Sequence, residues 1–268
     1  EMSLAYNDHV GAVDFESRLV YSRNVNKVKK LVRNYHTGID NQVINFTETS
    51  AGGGFIREGD SMGDVYITKV LKRDASGNIA VGADGSLSSM DLPNGQRLKI
   101  GNTNPDFTLG WRNNISWKGL NLSFLINARV GGIVTSATQA VLDQFGVSKA
   151  TADARDRGYV EVAGGQKVDP QKYYEVVANQ QLMGYYYYSA TNVRLQNVSL
   201  SYTLPKTLLG QGWPGVTVGL IANNLWMIYN KAPFDPEVAA STGTYGQGSD
   251  YFSAPSLRNI GFSLKLNF

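Results

Sequence analysis

The sequence contains 268 residues, of which 42% are hydrophobic and 18% charged, with a formal net charge of +3 and no cysteine. The lack of cysteine excludes disulfides and thiolate chemistry, and so small a net charge does not argue for nucleic-acid binding. No apolar run approaches the roughly 20 residues of a membrane-spanning helix, whereas a barrel strand needs only about 10 residues with one apolar face.

Strands are predicted wherever apolar and polar residues alternate along the chain. Seven such strands are predicted, at 2–6, 13–21, 107–117, 120–130, 197–204, 216–226 and 258–268. The two-residue, glycine-containing interval 118–119 predicts a hairpin between the third and fourth of them. Segment 63–71 is a weaker candidate for an eighth strand.

The connections between these strands differ strongly in length. Three are short, at 8–11, 118–119 and 205–214, and the long intervals are 24–62, 72–106, 131–192 and 227–257. Unstructured loops longer than about 15 residues are uncommon in compact domains, but short turns on one side and long loops on the other are typical of outer-membrane barrels. On this hypothesis 24–106 contains either zero or two crossings. A short helix is possible within 143–157.

The alternation assigns a face to each residue of the clearest strands. The predicted lipid-facing residues are Phe107, Leu109, Trp111, Leu120, Leu122, Phe124, Ile126, Ile260, Phe262, Leu264 and Leu266. The predicted lumen-facing residues are Arg112, Asn114, Asn121, Arg129 and Lys265. Aromatic residues near strand ends suit a girdle at the membrane interface, namely Trp111, Trp117, Tyr202 and Trp226.

Residues that carry chemistry are scarce. The two histidines, His9 and His36, fall in different loops or turns and read as surface residues rather than as a triad or metal site. No acid, base or nucleophile converges in the sequence, so neither catalysis nor a cofactor is predicted. The unusual loop "GYYYYSA" (184–190) contains Tyr185, Tyr186, Tyr187 and Tyr188. These rings fit a membrane girdle or a partner contact, or contact with a ligand such as a sugar ring.

Several stretches resemble SusC/RagA-type TonB-dependent transporters of Bacteroidota outer membranes. They are "SRNVNKVKKL" (22–31), "REGDSMGDVYITKV" (57–70), "MDLPNGQRLKIGNTNPDFTLGWRNNISWKGLNLSFLINARVGG" (90–132), "NVRLQNVSLSYTLP" (192–205), "NNLWMIYNKAPFDPEV" (223–238) and "YFSAPSLRNIGFSLKLNF" (251–268). The combination in this order is more specific than any single stretch. Segment 72–89 departs from the family pattern, which is often rich in Asp and Gly there.

This resemblance implies an all-β fold, an antiparallel transmembrane β-barrel segment with long extracellular loops, containing about the last seven or eight strands of a 22-stranded barrel. Residues 1–268 would be the C-terminal part of the barrel, without the plug and the N-terminal strands. Implied partners are a SusD-like lipoprotein, TonB through the missing plug, the remaining barrel strands, outer-membrane lipid and a glycan or peptide substrate. Nucleic acid is not among them.

The resemblance also implies the outer membrane of a Gram-negative bacterium, a Bacteroidota species, as the location. Loops 131–192 and 227–257 would engage the lid and the ligand. Phe268 resembles the terminal aromatic residue that the barrel-assembly machinery recognises. The alternative that composition and periodicity leave open is a soluble or surface-exposed β-sandwich that binds carbohydrate.

Overall fold

The computed structural model describes residues 1–36, 43–44, 46–51, 54–210, 214–238 and 248–268. Its strands are β1 (Met2–Val10), β2 (Val13–Ser22), β3 (Tyr35–His36), β4 (Val43–Ile44), β5 (Glu48–Ala51), β6 (Gly54–Arg57), β7 (Asp64–Ile67), β8 (Lys69–Leu71), β9 (Ser89–Asp91), β10 (Leu98–Asn102), β11 (Phe107–Trp117), β12 (Leu120–Val130), β13 (Ile133–Ser136), β14 (Val160–Glu161), β15 (Lys167–Val168), β16 (Tyr187–Ser189), β17 (Asn192–Thr203), β18 (Gly215–Asn230), β19 (Ser249–Asp250) and β20 (Asn259–Asn267). Its helices are α1 (Ala137–Gln144), α2 (Lys149–Arg157), α3 (Pro170–Val177) and α4 (Lys206–Leu209), with 3₁₀ segments at Pro93–Gly95 and Gln180–Tyr186.

The dominant feature is a seven-stranded sheet in the order β1-β2-β11-β12-β17-β18-β20. Every neighbouring pair is antiparallel, and the order follows the chain. The predicted all-β antiparallel fold with seven strands is therefore confirmed. Short connections join the strands at one end of the sheet, and the long connections lie at the other end.

The β11–β12 hairpin has the bounds that the periodicity predicts. Its turn residues Lys118 and Gly119 both have positive φ, 46° and 86°. Two successive positive φ angles characterise a type I′ turn, whose twist matches that of the flanking strands. Glycine adopts this conformation without a steric penalty, so Gly119 favours the tight connection.

The strand register separates the two faces of the sheet across its whole width. One apolar row runs through Leu4, Leu19, Trp111, Ile126, Leu195 and Trp226. A row on the opposite face runs through His9, Asp14, Ser116, Asn121, Ser201, Gly219 and Ser263. Because side chains alternate along each strand, the register places all eleven predicted lipid-facing residues on one face and all five predicted lumen-facing residues on the other.

The weak eighth strand at 63–71 does not join the large sheet. It is divided into β7, which pairs with β10, and β8, which pairs with β9. Strand β2 pairs directly with β11, and no described residue of 24–106 belongs to the large sheet, which agrees with zero crossings rather than two. Local alternation indicates a strand but does not identify its partner, which is why the sequence leaves this choice open.

Parts of three long connections fold together into one structure, here called the loop assembly, formed by residues 69–91, 131–191 and 248–252. Its core contains Leu71, Ile79, Leu87, Ala140, Val162, Val168, Val177, Ala178, Leu182 and Tyr186. Strand β13 ties it together by pairing with β16 and, in parallel, with β19. The third contributing segment, 248–252, comes from the connection after β18.

The helices of the loop assembly follow local capping signals. Ser136, Ser148 and Asp169 cap α1, α2 and α3 by accepting hydrogen bonds from backbone N–H groups three residues ahead. The helix predicted within 143–157 is thus present as α2, but α3 was not predicted. Among the described residues, no helix is long and apolar enough to cross a membrane.

Candidate functional site: the loop assembly and the strand ends beneath it

The four consecutive tyrosines lie where the loop assembly returns to the sheet. Tyr185 is 40% exposed, Tyr187 and Tyr188 are half-buried, and Tyr186 is buried in the core. Tyr187 and Tyr188 belong to β16, which pairs with β13. The Tyr188 ring meets the Phe234 ring edge to face, with centroids 5.6 Å apart. Of the four, Tyr185 is thus the most accessible to a ligand or partner, and Tyr186 serves the interior packing of the loop assembly.

The Tyr186 hydroxyl donates a hydrogen bond to Asp143 Oδ2 at 3.0 Å, and Gln139 Nε2 donates to Asp143 Oδ1 at 2.7 Å. Burial, followed by the nearby Asp143 carboxylate, raises the pKa of Tyr186 well above its usual value. The hydroxyl therefore stays protonated and continues to donate. Sequence periodicity did not single out Asp143, because it lies at the end of a helix that only the tertiary packing buries.

A second polar cluster joins the start of β7, at Asp64, to the last residues of β10. The Asp64 carboxylate accepts hydrogen bonds from Lys99 Nζ at 2.6 Å, Asn102 Nδ2 at 2.7 Å and the Ser61 backbone N–H at 2.9 Å. The Gly63 carbonyl accepts from the Thr103 N–H at 2.8 Å. These residues belong to the two stretches 57–70 and 90–132 that carry the family resemblance. Through these contacts the two stretches hold in place the segment that precedes β11.

The same cluster reaches the polar face of the sheet through Arg129. Its guanidinium donates to the Thr103 carbonyl at 2.7 Å. Further along the sheet towards the short turns, Asn121 Nδ2 donates to Asn114 Oδ1 at 3.0 Å and to Ser116 Oγ at 2.8 Å. The polar face is therefore lined by side chains that bond to one another and to the long connections.

A third cluster surrounds Arg194, which is only 5% exposed. Its guanidinium donates to Asp235 Oδ1 at 2.6 Å and to Ser256 Oγ at 2.8 Å. Burial opposes ionisation of Asp235, but hydrogen bonds from Ser256 and Arg194 outweigh it and lower the pKa of this carboxyl. A cavity of about 350 Å³ lies beside the cluster and is also lined by Trp226 and Arg258. The cavity therefore lies beside the long-loop ends of β17 and β18, next to the loop that follows β18.

Sequence alternation missed Arg194 because the β17 ladder is irregular there. Register shifts occur between Val193 and Arg194 and between Leu195 and Asn197. A bulge of this kind reverses the alternation of faces, so the apolar pattern recognised from Val198 onward does not extend back to Arg194. All three residues of the cluster lie in stretches that carry the family resemblance, namely 192–205, 223–238 and 251–268, but nothing in those stretches indicates that they meet.

The aromatic residues predicted to form a membrane girdle lie on the apolar face of the sheet, at different distances from the strand ends. Trp117 and Tyr202 lie at the short-turn end, and both flank Leu120 across the sheet. Trp111 is the fifth of the eleven residues of β11 and lies in the same row as Trp226, so both lie further from a strand end than Trp117 and Tyr202; their place in an aromatic girdle stays a prediction. The Trp111 ring packs edge to face on Phe124, and its indole N–H donates to Ser17 Oγ at 3.0 Å.

Exposed apolar residues mark the outer surface of the loop assembly. Phe145, in the connection between α1 and α2, is 73% exposed, and Val147 beside it is similarly exposed. Tyr251 and Phe252 form a second exposed pair, held to α1 by the Phe252 N–H, which donates to Thr138 Oγ1 at 2.6 Å.

Phe268 follows the last strand and is fully exposed. Within the described ranges, no group of three or more His, Cys, Asp or Glu side chains could hold a metal ion.

Comparison with known proteins gives one relative by sequence and several by fold. No family model matches the chain. It is 26% identical to TonB-dependent receptor P3 of Formosa agariphila over 92% of its own length, and it spans about a quarter (26%) of that relative. The chain is thus similar to a TonB-dependent receptor over most of its own length, in agreement with the resemblance that its sequence stretches indicate.

Three solved structures of a RagAB peptide transporter share the fold. The chain matches one in the open-open state with a TM-score of 0.67 and 18% identity, and one in the closed-closed state with 0.64 and 17%. A third structure gives 0.64 and 18%. In each case the match covers 99% of this chain but only 28–29% of the other chain. These matches support the fold of a barrel segment.

Proposed function

We propose that this chain forms the C-terminal part of the barrel wall of an outer-membrane TonB-dependent importer. The observation that carries the proposal is the seven-stranded antiparallel sheet with one continuous apolar face. Large side chains on that face are exposed, such as Leu220 at 56% and Phe262 at 69%. Bilayer hydrocarbon would cover such a face, and closure of the sheet into a barrel would satisfy the backbone groups of its edge strands.

In this proposal the apolar face meets lipid and the polar face lines the lumen. The remaining strands of the same transporter pair with β1 and β20, and Phe268 acts as the assembly signal. Transport is driven by TonB acting on a plug outside these residues, and no step of catalysis is assigned to the chain. Its location is the outer membrane of a Bacteroidota bacterium.

The loop assembly would face the outside of the cell and contact a SusD-like lipoprotein lid and the substrate. Exposed Phe145 and Val147 suit contact with a protein surface, because contiguous exposed apolar side chains usually mark interaction sites. Tyr185 suits contact with either lid or ligand. The substrate would be a glycan or a peptide, and the name of the RagAB peptide importer favours a peptide.

The alternative, a soluble β-sandwich that binds carbohydrate, places the apolar face inside, against a second sheet. The exposure of that face in the structure does not favour this alternative. Expression of residues 1–268 without detergent separates the two: a barrel segment should aggregate, whereas a monodisperse soluble monomer would contradict the proposal.

The partner is tested with the full-length transporter. Affinity purification from outer membranes should recover a SusD-like lipoprotein, and Phe145→Ser should reduce the amount recovered without changing the amount of transporter in the membrane. Glu161→Gln, which changes another exposed residue of the loop assembly, serves as the control. Equal recovery with Phe145→Ser and with the control would remove Phe145 from the proposed contact.

A further inference from the structure

A cleft between the helices of the loop assembly contains a buried carboxylate. The cleft has a volume of about 220 Å³, and Asp143, Arg155, Gln171, Tyr174 and Glu175 are among the residues that line it. It is smaller than the roughly 300–1,000 Å³ of pockets that enclose whole drug-sized ligands. Its size suits one side chain or one small functional group.

Asp143 is 5% exposed, and its two carboxylate oxygens accept hydrogen bonds from the neutral donors Gln139 and Tyr186. No lysine, arginine or histidine of the described part of the chain forms an ion pair with it. Buried charges in proteins are normally paired. Asp143 therefore lacks the counter-charge that its burial calls for.

The charged side chains around the mouth of the cleft do not supply this counter-charge. Glu175 is exposed at the mouth and accepts from Gln171 Nε2 at 2.7 Å. Arg155 is also exposed, and its guanidinium donates to the Gly146 carbonyl at 2.6 Å rather than to a carboxylate. Among the residues that line the cleft, Asp143 and Glu175 are acidic and Arg155 is the basic one; Arg157 and Asp153, which act on Tyr174 from nearby, carry opposite charges, so the acidic residues outnumber the basic ones.

The walls add an aromatic surface beside the carboxylate. Tyr174 lines the cleft, and its neighbour Tyr173 meets it edge to face with ring centroids 5.1 Å apart. Asp143 lines the same cleft as Tyr174, and burial, followed by the charge of Asp143, raises the pKa of Tyr174, whereas Arg157 opposes the rise. A carboxylate next to an aromatic ring is a combination that attracts organic cations.

We infer that this cleft binds one organic cation, the guanidinium or alkylammonium group of an arginine- or lysine-like side chain, with Asp143 as its counter-ion, Tyr174 as its aromatic wall and Glu175 at its mouth. The inference rests on the cleft alone and does not depend on the proposed transport function.

The test uses the full-length protein in detergent and measures binding by calorimetry. The probes are N-acetyl-arginine amide, its neutral near-isostere N-acetyl-citrulline amide, and the anionic N-acetyl-glutamate amide. We expect the arginine probe to bind with a Kd of about 1 mM, which is reasonable for one side chain, and the other two probes to bind at least tenfold more weakly. A further arm with n-butylguanidinium distinguishes a site that takes any guanidinium from one that requires the peptide groups.

Variants locate the binding in the cleft. Asp143→Asn keeps an acceptor for Tyr186 or Gln139 but removes the charge, and should weaken arginine binding at least tenfold. Glu175→Gln, at an exposed position that should not affect folding, should weaken it about two- to fivefold through the loss of one nearby charge. Glu161→Gln is the matched control and should have no effect.

Arg155→Gln decides whether the protein supplies the counter-charge itself. If Arg155 were the hidden partner of Asp143, its removal would destabilise the loop assembly, and the cleft would be closed to added cations in the unmodified protein. We expect instead that Arg155→Gln leaves arginine binding unchanged or strengthens it. Absence of arginine binding, equal binding of the citrulline probe, or binding that is insensitive to both Asp143→Asn and Glu175→Gln would overturn the inference.

Discussion

Substitution of Ile126 by arginine tests which face of the sheet meets lipid. Ile126 lies in β12 on the apolar face, between Trp111 of β11 and Leu195 of β17. A strand of 11 residues that rises about 3.3 Å per residue and tilts by roughly 40° spans about 25 Å, the height of the apolar band of an outer-membrane barrel. Ile126 then lies about 3 Å from the middle of that band, whereas Leu122 lies about 8 Å from it.

The expected cost follows from these depths. Arginine on the lipid face costs about 2–4 kcal/mol at the midplane and about 0–1 kcal/mol near an interface. Ile126→Arg should therefore lower the free energy of unfolding of the full-length barrel by about 2–4 kcal/mol, and Leu122→Arg by a smaller amount. Ser123→Arg is the matched control, because Ser123 lies on the polar face between Asn114 and Ser199 and should cost little.

The measurement is urea-induced unfolding of the full-length protein in lipid vesicles, together with the heat-modifiable folded fraction in outer membranes. The ordering Ile126→Arg, then Leu122→Arg, then Ser123→Arg, from most to least destabilising, is the expected result. If Ser123→Arg proved as damaging as Ile126→Arg, the assignment of faces would be refuted. If Leu122→Arg cost more than Ile126→Arg, the estimate of depth would be wrong even though the facing could still hold.

Three further predictions concern the long connections. Asp64→Asn should cost about 1–3 kcal/mol, because Lys99, Asn102 and Ser61 lose a charged, buried acceptor, whereas the exposed Asp91→Asn should cost about 0–1 kcal/mol; protease sensitivity of segment 24–106 would report the difference, and equal sensitivity of the two variants would contradict it. Burial raises the pKa of Tyr173 and of Tyr188 from 10.0 to about 12. The folded loop assembly therefore binds more protons than the unfolded chain between these values, so its stability is full below pH 10 and falls as the pH rises through this window. A tyrosine of ordinary pKa is almost fully ionised at pH 12, whereas one with a pKa of about 12 is only half ionised there; tyrosinate absorbance that reached its plateau by pH 12 would therefore be evidence against this burial. Leu182→Ala should cost about 2–5 kcal/mol within the loop core and increase hydrogen exchange in 131–191 while leaving β11 and β12 protected; equal deprotection of both regions would mean that the loop assembly and the sheet unfold together.

The strands of the large sheet could be predicted closely because each residue faces only one of two uniform environments. Strands β11 and β12 alternate without interruption, and their observed bounds equal the predicted ones. Strand β17 begins at Asn192 rather than 197, since a bulge near Leu195 breaks the alternation. The capping residue Ser148 indicates why the helix expected within 143–157 forms.

The candidate sites were harder to predict because they depend on contacts between residues far apart in the chain. Arg194 meets Asp235 across 41 residues and Ser256 across 62. Asp143 meets Tyr186 across 43 residues. Hydrogen bonds of this kind leave no periodic signature, so neither cluster was recognised from sequence, although the tyrosine stretch and the segment around Asp235 had been noted for other reasons.

The sequence by itself determined the seven long strands, their two faces and the alternation of short and long connections, because alternation along a strand is a local property set by which side chains each face accepts. Only the tertiary structure decided that the described residues of 24–106 add no strand to the large sheet, that parts of three long connections fold into one core, and that this core buries Asp143 without an ion-pair partner among the described residues. These features depend on which segments pair and pack at a distance, and that choice is made by the combined burial of many residues rather than by any one stretch.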